Sequence, residues 1–397
     1  MGRHNAFTFP YTFFRQSAAQ VIPELQSYGF TGINLALNYH ASRDFLLRQG
    51  PALEYLVDGF HYYAPNQDKY PAQAVQPDPK DCLIDNRMLD DVIDVANARG
   101  FEVNAWAVFM HNSAIGFQYP KLTVTNCFGN HFLSELCPSS PEIAGYISGL
   151  SNDLASRGIT ALAIESLHFH GAHHGEHHER FFLEMSEITG FLLSLCFCAS
   201  CIANFVGDGA ALKERVAQLL RPFLDEGDEW LGVDLTKENL ASIAGEEILG
   251  YLTSREETVA QRYREVKSVT AAYGVRTKFI DQAPLIPTSV NAPLAKSWQV
   301  GIDNTLIDKA VDIYEPLIYR ASAEEVGALA SHYRSKISSE ITAILRPTYP
   351  DNDSKEKLGA KVQALHDSSV HDIFSFESLS GYVGRKIAVI SLEIFER

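Results

Sequence analysis

The sequence predicts an α/β fold, a single (β/α)8 TIM barrel, and three observations support this. Short β-rich runs alternate with amphipathic helical stretches along the 397 residues, and the β-rich runs number eight. The chain carries no Gly-x-Gly-x-x-Gly after its first strand and no Gly-x-x-x-x-Gly-Lys-Ser/Thr, so open nucleotide-binding sheets are disfavoured. This length also suits one barrel with an insertion. We therefore expect residues 1–397 to form one barrel domain.

The first four strands are predicted from β-rich runs that end in polar residues. They fall within residues 6–14, 32–37, 102–109 and 159–165. Helical patterns over 17–28, 86–98 and 141–156 separate them, and each pattern stops at or near a glycine suited to a left-handed cap. Residues 44–79, rich in Pro, Gln and Asp, predict a long surface loop, and loops of this length are usually functional.

The regular alternation of strands and helices is interrupted after the fourth strand. Residues 166–247 are mainly helical and rich in His and Cys, and we interpret them as an insertion. The rhythm resumes with a helix near 250–273, then strands over 275–281, 311–319, 340–345 and 373–377, and a last helix over 384–395. These segments complete eight strand–helix units.

The composition narrows the range of possible functions. The chain has 33 Lys and Arg against 49 Asp and Glu, a formal charge of -16, and no basic stripe. Nucleic-acid binding draws much of its affinity from phosphate neutralisation, so that function is disfavoured and an uncharged small-molecule or oligosaccharide substrate fits better. No run of about 18 apolar residues and no secretory signal is present, which predicts a cytoplasmic protein that does not associate with membranes. The sequence leaves open whether the chain forms a homo-oligomer.

Carboxylates at the ends of predicted strands are the candidate catalytic groups, because barrel active sites are built there. Glu165 ends the fourth strand after the apolar run Ile-Thr-Ala-Leu-Ala-Ile, and we predict it to be an acid/base. A second carboxylate is needed as nucleophile or base, and Asp281 and Glu377 are the alternatives. Glu315 lies in mid-strand and is interpreted as an interior residue of the barrel.

Other polar and aromatic residues near strand ends could hold sugar hydroxyls. These candidate substrate-binding residues are Asn38, His40, Trp106, His111, Asn112, His168, His170, Arg346 and Tyr349.

A cysteine cluster predicts a metal site. Cys196, Cys198 and Cys201 are spaced so that three thiolates can wrap one tetrahedral Zn²⁺, with Cys137 or Cys127 as the fourth ligand and Cys82 a weaker choice. The alternative is that the cysteines are small buried hydrophobic residues. Four thiolates close the coordination sphere, so such a zinc would be structural rather than catalytic.

The segment from His168 to His178 contains six histidines and supports a second interpretation. Imidazoles four residues apart could bind a catalytic metal, which would make the protein a metal-dependent hydrolase or lyase. Alternatively, the histidines form a hydrogen-bonding loop at the mouth of the substrate site.

The run Leu-Cys-Pro-Ser-Ser-Pro-Glu at 136–142, the strand ending in Glu165, and Cys-Phe-Cys-Ala-Ser-Cys at 196–201 together resemble the family 42 β-galactosidases and related barrel glycoside hydrolases. The resemblance covers about residues 100–205. It implies a structural Zn²⁺ on Cys137, Cys196, Cys198 and Cys201, and acid/base catalysis by Glu165.

Two positions differ from the family pattern. Ile164 replaces the Asn that precedes the acid/base, and the seventh strand ends in Leu345 and Arg346 where the family has its nucleophilic Glu. The sequence thus predicts a glycoside hydrolase acting on a neutral sugar, without implying galactosidase activity. A barrel that binds carbohydrate and has lost catalysis is the remaining alternative.

Overall fold

The structure is a computed structural model that describes residues 3–46, 52–172, 180, 182–283, 293–347, 350–370 and 373–376. Its central feature is a ring of eight parallel strands. They are β1 (Arg3–Thr8), β2 (Gly32–Tyr39), β3 (Glu102–Val108), β4 (Ala161–Glu165), β5 (Arg276–Asp281), β6 (Ile313–Pro316), β7 (Glu340–Ile341 and Ala343–Leu345) and β8 (Ile373–Phe376). Strand β7 is written in two pieces because its ladder is interrupted at Thr342, whose amide still bonds to β6.

The strands pair in sequence order and the ring closes. Each strand from β1 to β6 pairs in parallel with its successor. Both pieces of β7 are hydrogen-bonded to β6, the second through a bridge between Leu317 and Ile344, and this piece also pairs with β8. Strand β8 returns to β1. The predicted (β/α)8 barrel is therefore confirmed.

Helices surround the ring. They are α1 (Pro10–Arg15), α2 (Ala18–Ser27), α3 (Arg87–Ala98), α4 (Ser113–Gln118), α5 (Pro141–Ala155), α6 (Glu187–Ser194), α7 (Ala199–Asn204), α8 (Gly209–Glu226), α9 (Lys237–Ala244), α10 (Glu247–Ala271), α11 (Asn304–Ala310), α12 (Ala323–Arg334) and α13 (Lys355–Asp367). Short 3-10 turns occur at Gln67–Lys69, Pro79–Asp81, Pro120–Leu122, Pro293–Ala295 and Ser297–Val300. Helices α6 to α9 occupy the stretch predicted to be an insertion. Within the described ranges, no helix has both the length and the apolarity needed to cross a bilayer.

The largest differences from the predicted segments are in the first strand and in the long loop after the second. The first strand, predicted within residues 6–14, is Arg3–Thr8, and it ends there because Pro10 begins α1 and its fixed φ favours the first turn of a helix. The loop predicted over 44–79 instead begins with an antiparallel hairpin of Ser42–Leu46 and Ala52–Leu56, followed by the short strand Phe60–His61 that pairs with β2. A second hairpin, Thr123–Thr125 with His131–Leu136, follows β3.

Two cores result from the closed ring. The larger lies between strands and helices, and the smaller lies inside the barrel and includes Phe7, Trp106, Ile280, Leu317 and Ile344. These inner side chains form the floor on which the candidate site is built.

Candidate active site

A cavity of about 260 Å³ opens at the carboxyl ends of the strands. Its lining combines aromatic, aliphatic and polar side chains. The lining residues are Phe7, Tyr39, His40, Trp106, Glu165, Ile280, Gln282, Leu317, Tyr319, Ile344 and Arg346. An apolar floor with a few convergent polar groups is typical of a small-molecule site.

Glu165 supplies the carboxylate of the cavity. It is the last residue of β4, it is 7% exposed, and hydrogen bonds hold both of its oxygens. Trp106 Nε1 donates to Oε2 at 2.6 Å, and Gln282 Nε2 donates to Oε1 at 2.8 Å. The next residue, Ser166, has a positive φ of 57°, a conformation that is strained for a residue with a Cβ. The backbone thus turns sharply just after the carboxylate is delivered to the cavity.

The Trp106 ring is fixed by neighbouring aromatic rings. Its centroid lies 4.7 Å from that of Phe7 and 4.5 Å from that of Tyr39, both at steep angles typical of edge-to-face packing. Phe9 packs against it at 5.4 Å. Because the indole cannot easily rotate, its N–H stays directed at Glu165.

A cationic group is part of the cavity lining. Arg346, which follows β7, places its guanidinium 4.2 Å from the ring centre of Tyr319, and it forms an ion pair with Asp351 at 3.4 Å. Arg346 therefore stands where the resembled family has its nucleophilic Glu, and it can donate hydrogen bonds to a ligand but cannot act as a nucleophile.

Asp281, predicted to be an alternative second carboxylate, lies elsewhere. It is fully buried and absent from the cavity lining. Its Oδ2 accepts from Tyr333 at 2.6 Å and from Tyr314 at 3.3 Å, and its Oδ1 accepts from the Ala283 amide at 2.9 Å. Burial raises the pKa of this carboxyl, and the three donors oppose the shift. The placement beside tyrosines of the outer core does not support a catalytic role for Asp281.

The other predicted site residues divide into three groups. His40, Trp106 and Arg346 line the cavity, as Glu165 does. The residues that are buried but are not part of the lining are Asn38, His111, Asn112, His168 and His170. Glu377, Tyr349 and the histidines from His173 to His178 lie outside the described residues.

Those buried polar residues have local partners. Asn38 Nδ2 lies 3.4 Å from both ring nitrogens of His61, and Asn112 Oδ1 caps α4 by accepting from the Ile115 amide at 2.9 Å. His168 Nδ1 lies 2.9 Å from the carbonyl of Phe169. The cap and the His168 contact hold the chain in position beside the cavity.

Two carboxylates near the cavity, the fully buried Glu135 and the partly buried Asp58, were not predicted from the sequence. Asp58 follows the first hairpin and Glu135 lies in the second, and their ion-pair partners include His111 and His170. Both carboxylates lie in loop insertions, whereas the sequence prediction considered only residues at the ends of predicted barrel strands. Burial lowers the pKa of His111 to about 4 and raises that of Asp58.

The four cysteines Cys137, Cys196, Cys198 and Cys201 converge. Each can offer a sulfur within 4.8 Å of the other three, and Cys137 Sγ lies 3.7, 3.6 and 3.5 Å from the sulfurs of Cys196, Cys198 and Cys201 respectively. Zn–S bonds of about 2.3 Å in a tetrahedron require sulfurs roughly 3.8 Å apart, so the set fits Zn²⁺. The Thr125 amide donates to Cys196 Sγ at 3.3 Å, and the Cys201 amide to Cys198 Sγ at 3.5 Å.

The two remaining candidates for a fourth thiolate are not part of this group. Burial raises the pKa of Cys127 to about 11 and that of Cys82 to about 12, so both remain thiols at neutral pH. Hydrogen bonds from the neighbouring thiols instead hold the pKa of Cys198 well below its usual range.

Comparisons with solved structures relate this fold to glycoside hydrolases. A β-galactosidase from the psychrophilic Marinomonas ef1 superposes with a TM-score of 0.55 at 8% identity, over 99% of this chain and 59% of that one. For α-L-fucosidase isoenzyme 2 from Paenibacillus thiaminolyticus the TM-score is 0.54 at 10% identity, over 100% and 49%. The endo-1,4-β-mannanase from Rhizomucor miehei gives 0.50 at 9% identity, over 100% and 95%.

This chain spans only about half to three fifths of the length of the first two of these proteins. No family model and no curated protein matches the sequence, and family 42 in particular is not identified by these likenesses. At such low identity the likeness concerns the fold alone. The chain therefore has the (β/α)8 barrel fold of these glycoside hydrolases.

Proposed function

We propose that the protein is a glycoside hydrolase that acts on a neutral sugar, with Glu165 as general acid/base. The observation that carries this proposal is the position of the Glu165 carboxylate. It lies at the end of β4 in a cavity with aromatic walls, held by Trp106 and Gln282. Glycosidic cleavage requires a proton donor placed in this way beside the leaving oxygen.

The cavity walls suit a sugar. Tyr39, Trp106 and Tyr319 offer flat apolar faces, while His40 and Arg346 offer polar groups for hydroxyls. Charge also agrees, since a formal net charge of -16 disfavours an anionic polymer as substrate.

Glu377 is our candidate for the second carboxylate. It directly follows Phe376, the last residue of β8, and β8 adjoins β1 and β7 in the ring. Asp281 is not retained in this role because its carboxyl accepts hydrogen bonds from Tyr314 and Tyr333.

A second candidate function is carbohydrate binding without hydrolysis. Among the cavity-lining residues that the structure describes, Glu165 is the only carboxylate. A site with a single carboxylate could bind a sugar but would lack a nucleophile or base.

The test is hydrolysis of a panel of aryl glycosides by the purified full chain. We expect turnover of at least one neutral glycoside, a loss of about a hundredfold or more in kcat/KM for Glu165→Gln, and a comparable loss for Glu377→Gln. Glu229→Gln, which changes an exposed carboxylate, is the matched control and should retain full activity.

Two other outcomes would contradict the proposal or favour the second candidate function. Unchanged turnover in Glu165→Gln contradicts the proposed mechanism. Sugar binding by calorimetry without turnover of any glycoside favours the non-hydrolytic function instead.

We also propose that Cys137, Cys196, Cys198 and Cys201 bind a structural Zn²⁺. Their converging sulfurs and the amide donors to Cys196 and Cys198 support this. With four thiolate ligands, the ion would have no open position for substrate, and its role would be to connect the chain after β3 to α7.

A further inference from the structure

Arg255, in helix α10, is a buried cation to which the described residues offer no carboxylate partner. The residue is 3% exposed, and its guanidinium carbon lies 4.5 Å from the ring centre of Phe169 and 5.8 Å from that of Phe191. Nη2 donates to the Gln299 carbonyl at 3.4 Å. In the described part of the chain, Nε and Nη1 have no hydrogen-bond partner.

Such a cation calls for an opposite charge nearby. Taking a guanidinium out of water is costly unless an anion or hydrogen bonds replace the lost hydration. The faces of Phe169 and Phe191 attract the cation, but they recover only part of that cost.

Helix α10 packs on the segment that carries three of the four converging cysteines. Tyr251, one turn before Arg255, donates its hydroxyl to the Cys196 carbonyl at 2.5 Å, and its ring stacks on that of Phe197 with centroids 5.1 Å apart. Residues four apart lie on the same face of a helix, and a helical side chain extends back over the preceding turn. The side chain of Arg255 is therefore expected to extend toward Tyr251 and the cysteine segment.

We propose that Arg255 is the counter-charge of the zinc-loaded cysteine site and strengthens zinc binding. Zn²⁺ binding requires all four ligands to be thiolates, which leaves two negative charges in excess in a buried centre. A buried cation beside that centre is stabilised in the zinc-bound chain more than in the metal-free chain. This inference rests on the proposed structural zinc and is independent of the glycosidase function.

The electrostatics of Arg255 agree with this role. Burial lowers the pKa of its guanidinium, and negative charge on Cys201, Tyr251, Cys196 and Cys137 opposes that shift. Three of these four groups are proposed zinc ligands. The charges that Arg255 senses are therefore mainly those of the cysteine site.

The zinc affinity of the full chain, measured by competition with a chromophoric chelator, tests the proposal. Arg255→Met removes the charge and keeps a long unbranched side chain, and its zinc dissociation constant should rise at least about tenfold because an attractive charge beside the ion is lost. Arg255→Lys keeps the charge and should bind zinc more tightly than Arg255→Met. Arg262→Met is the matched control, since it removes a cation two turns farther along α10 that pairs with Glu265, and it should bind zinc as the wild type does.

Urea unfolding of the metal-free chain separates this role from simple packing. Metal-free Arg255→Met should be at least as stable as the metal-free wild type, because the variant no longer buries an unpaired charge. A loss of metal-free stability with unchanged zinc affinity would show that Arg255 only packs against Phe169 and Phe191, and would overturn the proposal.

The failure of this inference can be distinguished from the failure of the zinc site. Wild-type zinc affinity in folded Arg255→Met overturns the role of Arg255 and leaves the zinc site intact. A wild-type chain that binds no zinc overturns both proposals. If Arg255→Met does not fold, Arg255→Gln is the second variant, and the same rise in its zinc dissociation constant is expected.

Discussion

At the residue scale, the position of Glu165 follows from a short stretch of sequence. Five consecutive buried residues form β4, and the chain leaves the barrel at Ser166 with a positive φ. The apolar run before Glu165 predicted both the strand and its end. The two donors are Trp106 in β3 and Gln282 directly after β5, and they reach the carboxylate because both of these strands pair with β4.

Asp281 shows why the side of the barrel that a strand-end residue faces is difficult to predict from sequence. Successive residues of a strand point to opposite faces, so an uncertainty of one residue at a strand end exchanges interior for exterior. Ile280 and Gln282 line the cavity, whereas Asp281 between them contacts tyrosines of the outer core. Asp281 and Gln282 are adjacent polar residues at the end of β5, and the sequence alone does not show which of them faces the site.

This placement predicts that Asp281 acts on stability rather than on catalysis. Asp281→Asn weakens two tyrosine hydrogen bonds and the bond from the Ala283 amide, so we expect the free energy of unfolding to fall by about 1 to 3 kcal/mol. Denaturant titration measures that loss. Activity toward the best aryl glycoside should change less than threefold below the melting transition. A hundredfold loss of kcat with unchanged stability would instead indicate a catalytic role for Asp281.

At the scale of elements, the long segment after β2 was predicted as irregular and contains a hairpin. Exposure alternates along both of its strands, and the outward positions include the exposed side chains Phe45, Leu53 and Tyr55. Inward positions reach α1, where Asp44 accepts from Tyr11 at 3.1 Å and Glu54 pairs with Arg15. Because the apolar residues point outward and the acidic residues point inward, the pattern is the reverse of the one by which half-buried strands are recognised.

The cysteine site joins two elements that are distant in sequence. Cys137 follows the second hairpin, and the other three cysteines lie at the start of α7 or just before it. Spacing alone predicted those three, but it could not choose between Cys137 and Cys127, which are both buried. The choice depends on how the second hairpin packs against α7.

Zinc should therefore stabilise the fold. Cys198→Ser should abolish binding of one equivalent of Zn²⁺ and lower the Tm by roughly 5 °C or more, because a structural metal contributes directly to folding free energy. Elemental analysis and thermal unfolding measure the two effects. Cys127→Ser is the matched control, since this cysteine is equally buried but lies outside the cluster, and it should retain the metal. Loss of zinc from Cys127→Ser instead would assign the wrong fourth ligand.

At the scale of the whole molecule, strand counting predicted a closed barrel but not how its interior is filled. Part of that interior is polar: Lys278 pairs with Glu315 at 3.0 Å, and Asn104 donates to Asn34 at 2.8 Å. Glu315 was interpreted as interior from its mid-strand position, and it is fully buried. Glu315 is the partner of Lys278 because of the register in which β5 pairs with β6. That register depends on the tilt of the strands in the whole ring.

The same burial of polar groups predicts that the fold loses stability in acid. His61 is fully enclosed between Asn38, Tyr63 and Tyr146, and burial lowers its pKa to about 3. The folded state binds the proton less readily than the unfolded chain, whose histidine pKa is about 6.5. The contribution of His61 is therefore fully present above pH 6.5 and is lost as the pH falls toward 3, on the order of 5 kcal/mol in total.

We therefore expect His61→Gln to flatten the acid limb of stability. Between pH 6.5 and 3 its free energy of unfolding should fall by several kcal/mol less than that of the wild type, because Gln takes up no proton on unfolding. Urea titrations at a series of pH values measure both slopes. His131→Gln changes an exposed histidine and should reproduce the wild-type slope. Parallel slopes for wild type and His61→Gln would mean that the acid sensitivity arises from other groups, such as His111, whose pKa burial lowers to about 4.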